Sequence, residues 1–225
     1  MNVRLISYSK SPETIEFEEM NNVQDIIAYC ARVSNPSNQI NSETSERLIR
    51  YLVKHQHWSP LEMVNACLEI ETTRDIAHQI VRHRSFSFQE FSQRYADPKE
   101  QGDMFEYSEA RLQDTKNRQN SIEVDDIELQ DWWDAEQKLI AKVAKISYDL
   151  AIKKGIAKEQ ARKVLPEGLT KTKLYMNGTL RSWIHYIDLR SANGTQKEHM
   201  EIAHACAKVI AGIFPLMNNL KKQGE

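Results

Sequence analysis

Residues 79–95 read Gln-Ile-Val-Arg-His-Arg-Ser-Phe-Ser-Phe-Gln-Glu-Phe-Ser-Gln-Arg-Tyr and gather guanidinium, imidazole, carboxylate and hydroxyl groups in one short stretch. Arg82-His83-Arg84 closes an apolar helical pattern. Neighbours on a regular helix diverge by about 100°, so Arg82 and Arg84 face nearly opposite sides and suit two ligands better than one phosphate. Beyond them Glu90, Ser92 and Arg94 alternate with Phe91, Gln93 and Tyr95. In an extended chain the first three share a face. An acceptor, a hydroxyl and a guanidinium side by side suit a polar, phosphorylated ligand, because arginine forks onto phosphate oxygens. The bland alternative is a charged helix end followed by an ordinary polar loop, and residue chemistry alone leaves both open.

Other reactive side chains are less suggestive. His55 and His57 are two apart at a helix end, while His78 and His83, like His199 and His204, are five apart. That spacing puts them on different helix faces, unlike the four-residue spacing of zinc helices, and no metal site is expected. Cys30, Cys67 and Cys206 are odd in number and sit among aliphatic residues, which reads as structural thiols. No Gly-x-Gly-x-x-Gly run is present, so a dinucleotide would not be held by that fingerprint. Lys+Arg 30 against Asp+Glu 32 gives a net charge of −2, so any nucleotide site must be a local cluster of cations. A second function class is a non-catalytic nucleotide- or RNA-binding module using Arg82, Arg84 and Arg94, with Phe86, Phe88 and Phe91 as stacking surfaces. The negative charge and discontinuous cations argue against it. These phenylalanines, Trp132-Trp133 and Trp183 read more readily as core.

The scaffold that must position these groups is one domain spanning 1–225, long enough to bury a sizeable core. Apolar stretches such as Val209 to Met217 fall far short of the ~20 residues of a membrane helix. The N-terminus lacks a signal peptide's apolar run, so a soluble, cytoplasmic protein is expected. Alternation predicts strands over Asn2–Ser9 and Val64–Ile70, and Thr170–Met176 looks extended. Helical spacing covers Val23–Val33, a helix capped at Ser42 (or at Thr44 or Ser45) and running through Val53, and Ile76–Arg82. It also covers Ile127–Ile156 (with Leu139, Val143, Ile146 and Leu150 on one stripe), Ala157–Leu165, Thr179–Leu189, and Thr195 to about Lys221. Asp97–Asp125 reads as a surface loop or a helix-to-helix excursion. Without regular strand–helix alternation the class is α+β: mixed helices packed on a small antiparallel sheet, with a helix-rich second lobe.

Arg-His-Arg, seven residues, Ser, one residue, Arg resembles the signature of the flavin-dependent thymidylate synthases, without gap or substitution at 82–84, 92 and 94. Ala31-Arg32-Val33-Ser34 and His57-Trp58-Ser59-Pro60-Leu61-Glu62 resemble that family's N-terminal flavin-side segments. Ala161 to Pro166 and Leu180 to Arg190 are similar to its C-terminal ligand segments, so the likeness runs from about residue 28 to 200. It implies methylation of deoxyuridine monophosphate (dUMP) at C5. The one-carbon unit would come from methylenetetrahydrofolate and the hydride from FAD reduced by NADPH. The protein positions and polarises.

The same resemblance implies no attacking cysteine, no nucleic-acid or membrane partner, and a homotetramer with shared active sites. The apolar C-terminal helix (Ile202, Val209, Ile210, Ile213) could supply an interface. Position by position, it assigns dUMP to Gln79, Arg82, Glu90, Phe91, Ser92, Gln93, Arg94, Arg162 and Arg190. Arg190 is the activating residue, its fixed cation stabilising charge that develops on the pyrimidine. Flavin contacts fall on Ser59, Arg82, His83, Arg84, Glu90, Thr179, Leu180, Arg181 and His185, with Ser34 and Glu62 as weaker candidates. Two positions depart from the pattern: Thr179 stands where many members have Asn, and Gly194 where several have His. An inactive family member is the third reading those departures keep open.

Overall fold

The computed structural model describes residues 2–12, 20 and 22–220. Four strands, β1 (Asn2–Tyr8), β2 (Asn65–Thr73), β3 (Ser87–Glu90) and β6 (Lys171–Thr179), form an antiparallel sheet in the order β1-β2-β6-β3. The central pair is in register from Asn65↔Thr179 to Thr73↔Lys171, which sets Leu68 beside Met176 and Ile70 beside Leu174. Alternation puts Ala66, Leu68 and Ile70 on one buried face. That face joins a core that includes residues of α3 (Arg74–Ile80), α6 (Leu180–Arg190) and α7 (Lys197–Ala211). Trp183 is fully buried there and its indole N–H donates to the Ala66 carbonyl at 3.0 Å.

Local chemistry sets the element ends. Asn22 caps α1 (Val23–Ala31) by accepting from the amides of Gln24 and Asp25. Of the cap candidates Ser42, Thr44 and Ser45, the cap falls at Thr44, where α2 (Ser45–Lys54) begins, and the Thr44 hydroxyl accepts from Arg32 rather than from the helix. Gly155, at φ 81, follows α4 (Ile127–Lys153) where a left-handed residue ends helices at no steric cost. The long C-terminal helix expected from Thr195 is broken: α7 stops at Ala211, and α8 (Met217–Leu220) follows Pro215. The expected end near Lys221 lies outside the described residues. A further short helix, α5 (Lys158–Ala161), runs into a 3₁₀ turn at Arg162–Val164.

The stretch from Asp97 to Asp125 is neither a bare loop nor a helical excursion. It holds a 3₁₀ turn and a hairpin, β4 (Arg111–Gln113) with β5 (Ser121–Glu123). Two glutamines of α4 hold it by imitating a strand edge. Gln137 accepts from Ser108 N at 3.0 Å and donates to Ser108 O at 2.8 Å, and Gln130 does the same to Ala110 at 2.8 and 2.9 Å. α4 therefore turns Gln137, Ala141, Ala144 and Tyr148 inward. Its aliphatic stripe of Leu139, Val143, Ile146 and Leu150 points outward, about half exposed, as do Trp132 and Trp133, which were expected in the core. Ile202 and Ile210 of α7 are in turn core residues rather than interface.

Candidate active site

Arg82-His83-Arg84 does not lie on a helix. α3 stops at Ile80 and the chain turns twice, with His83 N donating to Ile80 O at 3.1 Å and Phe86 N to His83 O at 3.2 Å. Phe86 fastens this turn. Its ring is 8% exposed, meets Trp183 edge-on at 4.8 Å, and lies so close to Gly178 that a Cβ there would stand 2.4 Å away. Arg82 and Arg84 project as exposed cations without an acidic partner among the described residues, while His83 is half-buried. Phe86 and Phe88 pack on the core, which takes two of the three phenylalanines away from the stacking surface of an RNA reader.

His83 Nε2 accepts from Arg190 Nε at 2.9 Å, joining groups 107 positions apart in the chain. A nitrogen that accepts is unprotonated. Burial first, then the cations Arg190 and Arg82, lower the His83 pKa from 6.5 to about 4, so the ring is neutral near pH 7. Arg190 is thereby oriented through Nε, with its two terminal nitrogens left for a ligand. Beside His83, Gln79 donates to Gln196 Oε1 at 2.7 Å, and its carbonyl lies 3.2 Å from His199 Nδ1. His199 Nε2 lies 3.1 Å from the Tyr186 hydroxyl. The participation of Tyr186 and His199 was not legible in the sequence, because a buried histidine and tyrosine at helical spacing look like ordinary core.

A second group forms where β3 ends. Residues 90–94 are not one extended run: the amides of Tyr95 and Ala96 both donate to Ser92 O at 3.1 Å, so the chain turns after Glu90. Glu90, Ser92 and Arg94 therefore do not share a strand face. Glu90 accepts from Thr172 at 2.9 Å and from Arg74 at 3.4 Å. Phe91 and Ser92 are half-buried. Gln93 is 3% exposed, and its Nε2 has no partner among the described residues. Arg94 is exposed, 3.6 Å from Glu159, and Lys158 donates to the Tyr95 carbonyl at 2.9 Å. Arg162 follows in the same helical segment, so Arg94 and Arg162 share a neighbourhood. Among the described residues no hydrogen bond or ion pair within the chain joins that neighbourhood to Arg190.

The third group lies at the start of α6. Thr179 caps the helix, its hydroxyl accepting from Ser182 N at 3.2 Å, and Ser182 donates to the Ser85 carbonyl at 3.2 Å. That bond ties the helix start to the Arg82–Phe86 turn. Arg181 pairs with Glu62, and His185 is exposed, edge-on to Trp58 at 4.5 Å, its pKa lowered by burial and then by Arg181. Ser59 is exposed on the adjoining 3₁₀ turn. Leu180 is fully buried and its amide donates to Val64 O, while its carbonyl begins the helix ladder of α6. Ser34 is an exposed turn residue. Unpaired Arg82 and Arg84 beside this helix start suit a cofactor with a pyrophosphate.

A cavity of about 290 Å³ opens beside Gln196, walled by Thr72, Asp75, Arg111, Lys197 and Glu198. Burial raises the thiol pKa of Cys30, Cys67 and Cys206, the last of them fully buried, which favours the protonated thiol over the thiolate. Among the described residues no cluster of three metal-ligating side chains occurs, and no helix is long and apolar enough to cross a membrane.

Residues 17–216 match the family model described as thymidylate synthase complementing protein. A probable flavin-dependent thymidylate synthase of Paramecium bursaria Chlorella virus 1 is 47% identical over 215 residues, 96% of each chain. The flavin-dependent thymidylate synthase of a Synechocystis strain gives the same identity and coverage. Among solved structures, a UMP/dUMP methylase from Streptomyces cacaoi, bound with 5-Br dUMP, superposes with a TM-score of 0.76 at 23% identity, covering 97% of this chain and 93% of that one. At that identity the likeness speaks to the fold.

Proposed function

The chain belongs to the flavin-dependent thymidylate synthase family, and from this premise we propose that its site methylates dUMP at C5 to give thymidine monophosphate. The one-carbon unit comes from methylenetetrahydrofolate. FAD, when bound, supplies the hydride and is itself reduced by NADPH. The observation that carries the reading is the Arg190 Nε–His83 Nε2 bond at 2.9 Å, which binds the signature turn to the activating arginine. Arg190 then presents a preoriented cation beside the uracil N3/O2 edge, stabilising the negative charge that would develop on the pyrimidine as hydride adds at C6. A neutral His83 acceptor holds that cation without competing for the charge it must stabilise.

Gln79, Arg82, Glu90, Phe91, Ser92, Gln93, Arg94 and Arg162 complete the nucleotide site, with the phosphate on Ser92, Arg94 and Arg162. Flavin is held by Ser59, Arg82, His83, Arg84, Glu90 and the start of α6 from Thr179 to Arg181, with His185 at its side. Arg82 and Arg84 fit the pyrophosphate because no carboxylate neutralises them among the described residues. The enzyme assembles as a homotetramer in which Arg94 and Arg162 of one subunit meet Arg190 of another. What supports this is the outward apolar stripe on α4, which the rest of the chain leaves about half exposed.

Arg190→Ala is the test of the site. Turnover falls by two to three orders of magnitude, about 3–4 kcal/mol, while the flavin absorbance of the purified protein stays. Unchanged turnover would remove Arg190 from its role.

A further inference from the structure

Tyr186, His199 and Gln79 lie in one hydrogen-bonded row in which every proton position follows from the one before. Tyr186 is 1% exposed, and among the described residues the one hydrogen-bond partner of its hydroxyl is His199 Nε2 at 3.1 Å. A buried O–H without an acceptor is costly, so this hydroxyl donates to Nε2. Nε2 is then the acceptor nitrogen, and the single ring proton of a neutral imidazole sits on Nδ1. Nδ1 lies 3.2 Å from Gln79 Oε1, so its N–H donates to the carbonyl end of that amide. The amino end is left facing Gln196 Oε1, to which it donates at 2.7 Å. His199 is fully buried, and burial first, then Arg190 and His83, lower its pKa to about 3, so the imidazole is neutral near pH 7.

A glutamine amide has nearly the same shape either way round, but turning it over exchanges donor for acceptor. If Gln79 turned over, its amino end would confront the Nδ1–H of His199. The ring could accommodate that only by moving its proton to Nε2, where Tyr186 would lose its acceptor. We infer that Tyr186 and His199 are positioning residues that hold the Gln79 amide in one orientation, and so set which face of hydrogen-bonding chemistry this chain shows to the nucleotide. The inference rests on the reading of Gln79 as a nucleotide contact. Both residues lie behind that amide, and neither is among the residues that the sequence likeness assigns to dUMP or flavin.

The experiment is a double-mutant cycle on the flavin-loaded protein, with dUMP affinity measured by isothermal titration calorimetry for wild type, Tyr186→Phe, Gln79→Ala and the pair. Tyr186→Phe removes one oxygen from a buried ring and keeps its packing. It weakens dUMP binding roughly 5-fold, the size of one hydrogen bond, in the wild type and not at all when Gln79 is already Ala. An equal loss in both backgrounds would mean a merely structural role and overturn the inference alone. If Gln79→Ala itself leaves dUMP affinity unchanged, the nucleotide assignment of Gln79 falls and this inference falls with it. Nitrogen-15 NMR of histidine-labelled wild-type protein needs no variant: His199 shows Nδ1 protonated and Nε2 bare, and the opposite tautomer overturns the ordering.

Discussion

At the scale of single residues, the signature turn works through one neutral imidazole. His83 must accept from Arg190, and protonation would end that bond and set two cations against each other. Its folded pKa, about 4, lies below the ordinary 6.5, so the unfolded chain binds the proton first as pH falls. The stability His83 contributes is complete above about pH 6.5, declines as pH drops toward 4, and falls no further below that. Thermal melts between pH 7 and 4 should show this loss, with a shallower slope in His83→Gln. Identical slopes would contradict the neutral assignment. The triplet itself was plain in the sequence, because arginines bracketing a histidine announce chemistry wherever they sit. That Arg190 would meet His83 was not legible, since neither composition nor periodicity encodes which residues 107 positions apart share a bond.

At the scale of elements, β1, β2, β6 and most helices were legible because the spacing of their apolar residues records the face turned to the core, whereas the short strands β3, β4 and β5 carry no such pattern. The failures share a cause. The helix expected to reach Arg82 stops at Ile80, because the turn beyond it is set by Phe86 closing onto Gly178, a tertiary contact. The 97–125 segment looked structureless because its partners are glutamine amides, which leave no hydrophobic pattern. Gln137 is 4% exposed and serves both backbone groups of Ser108. Gln137→Ala should therefore destabilise the fold by about 1–3 kcal/mol, since two hydrogen bonds to the Ser108 backbone are lost. Urea unfolding measures it, and a change within experimental error would show that the hairpin is held by something else.

At the scale of the whole molecule, the surface carries an apolar stripe that one chain does not cover. Leu139, Val143, Ile146 and Leu150 read from sequence as an ordinary helical stripe, and only the packing of α4 reveals that they face outward. In the proposed homotetramer, glutamate at both Leu139 and Val143 should split the assembly into smaller species in analytical ultracentrifugation and cut activity sharply. An intact tetramer would mean that another surface joins the subunits. The assembled site has one chemical task, which is replacement of the C5 hydrogen of a uracil nucleotide by a methyl group. Release of tritium from C5-labelled dUMP by the purified protein tests it most directly. Release that needs methylenetetrahydrofolate, FAD and NADPH together is the predicted result, and no release with all three present would contradict the account.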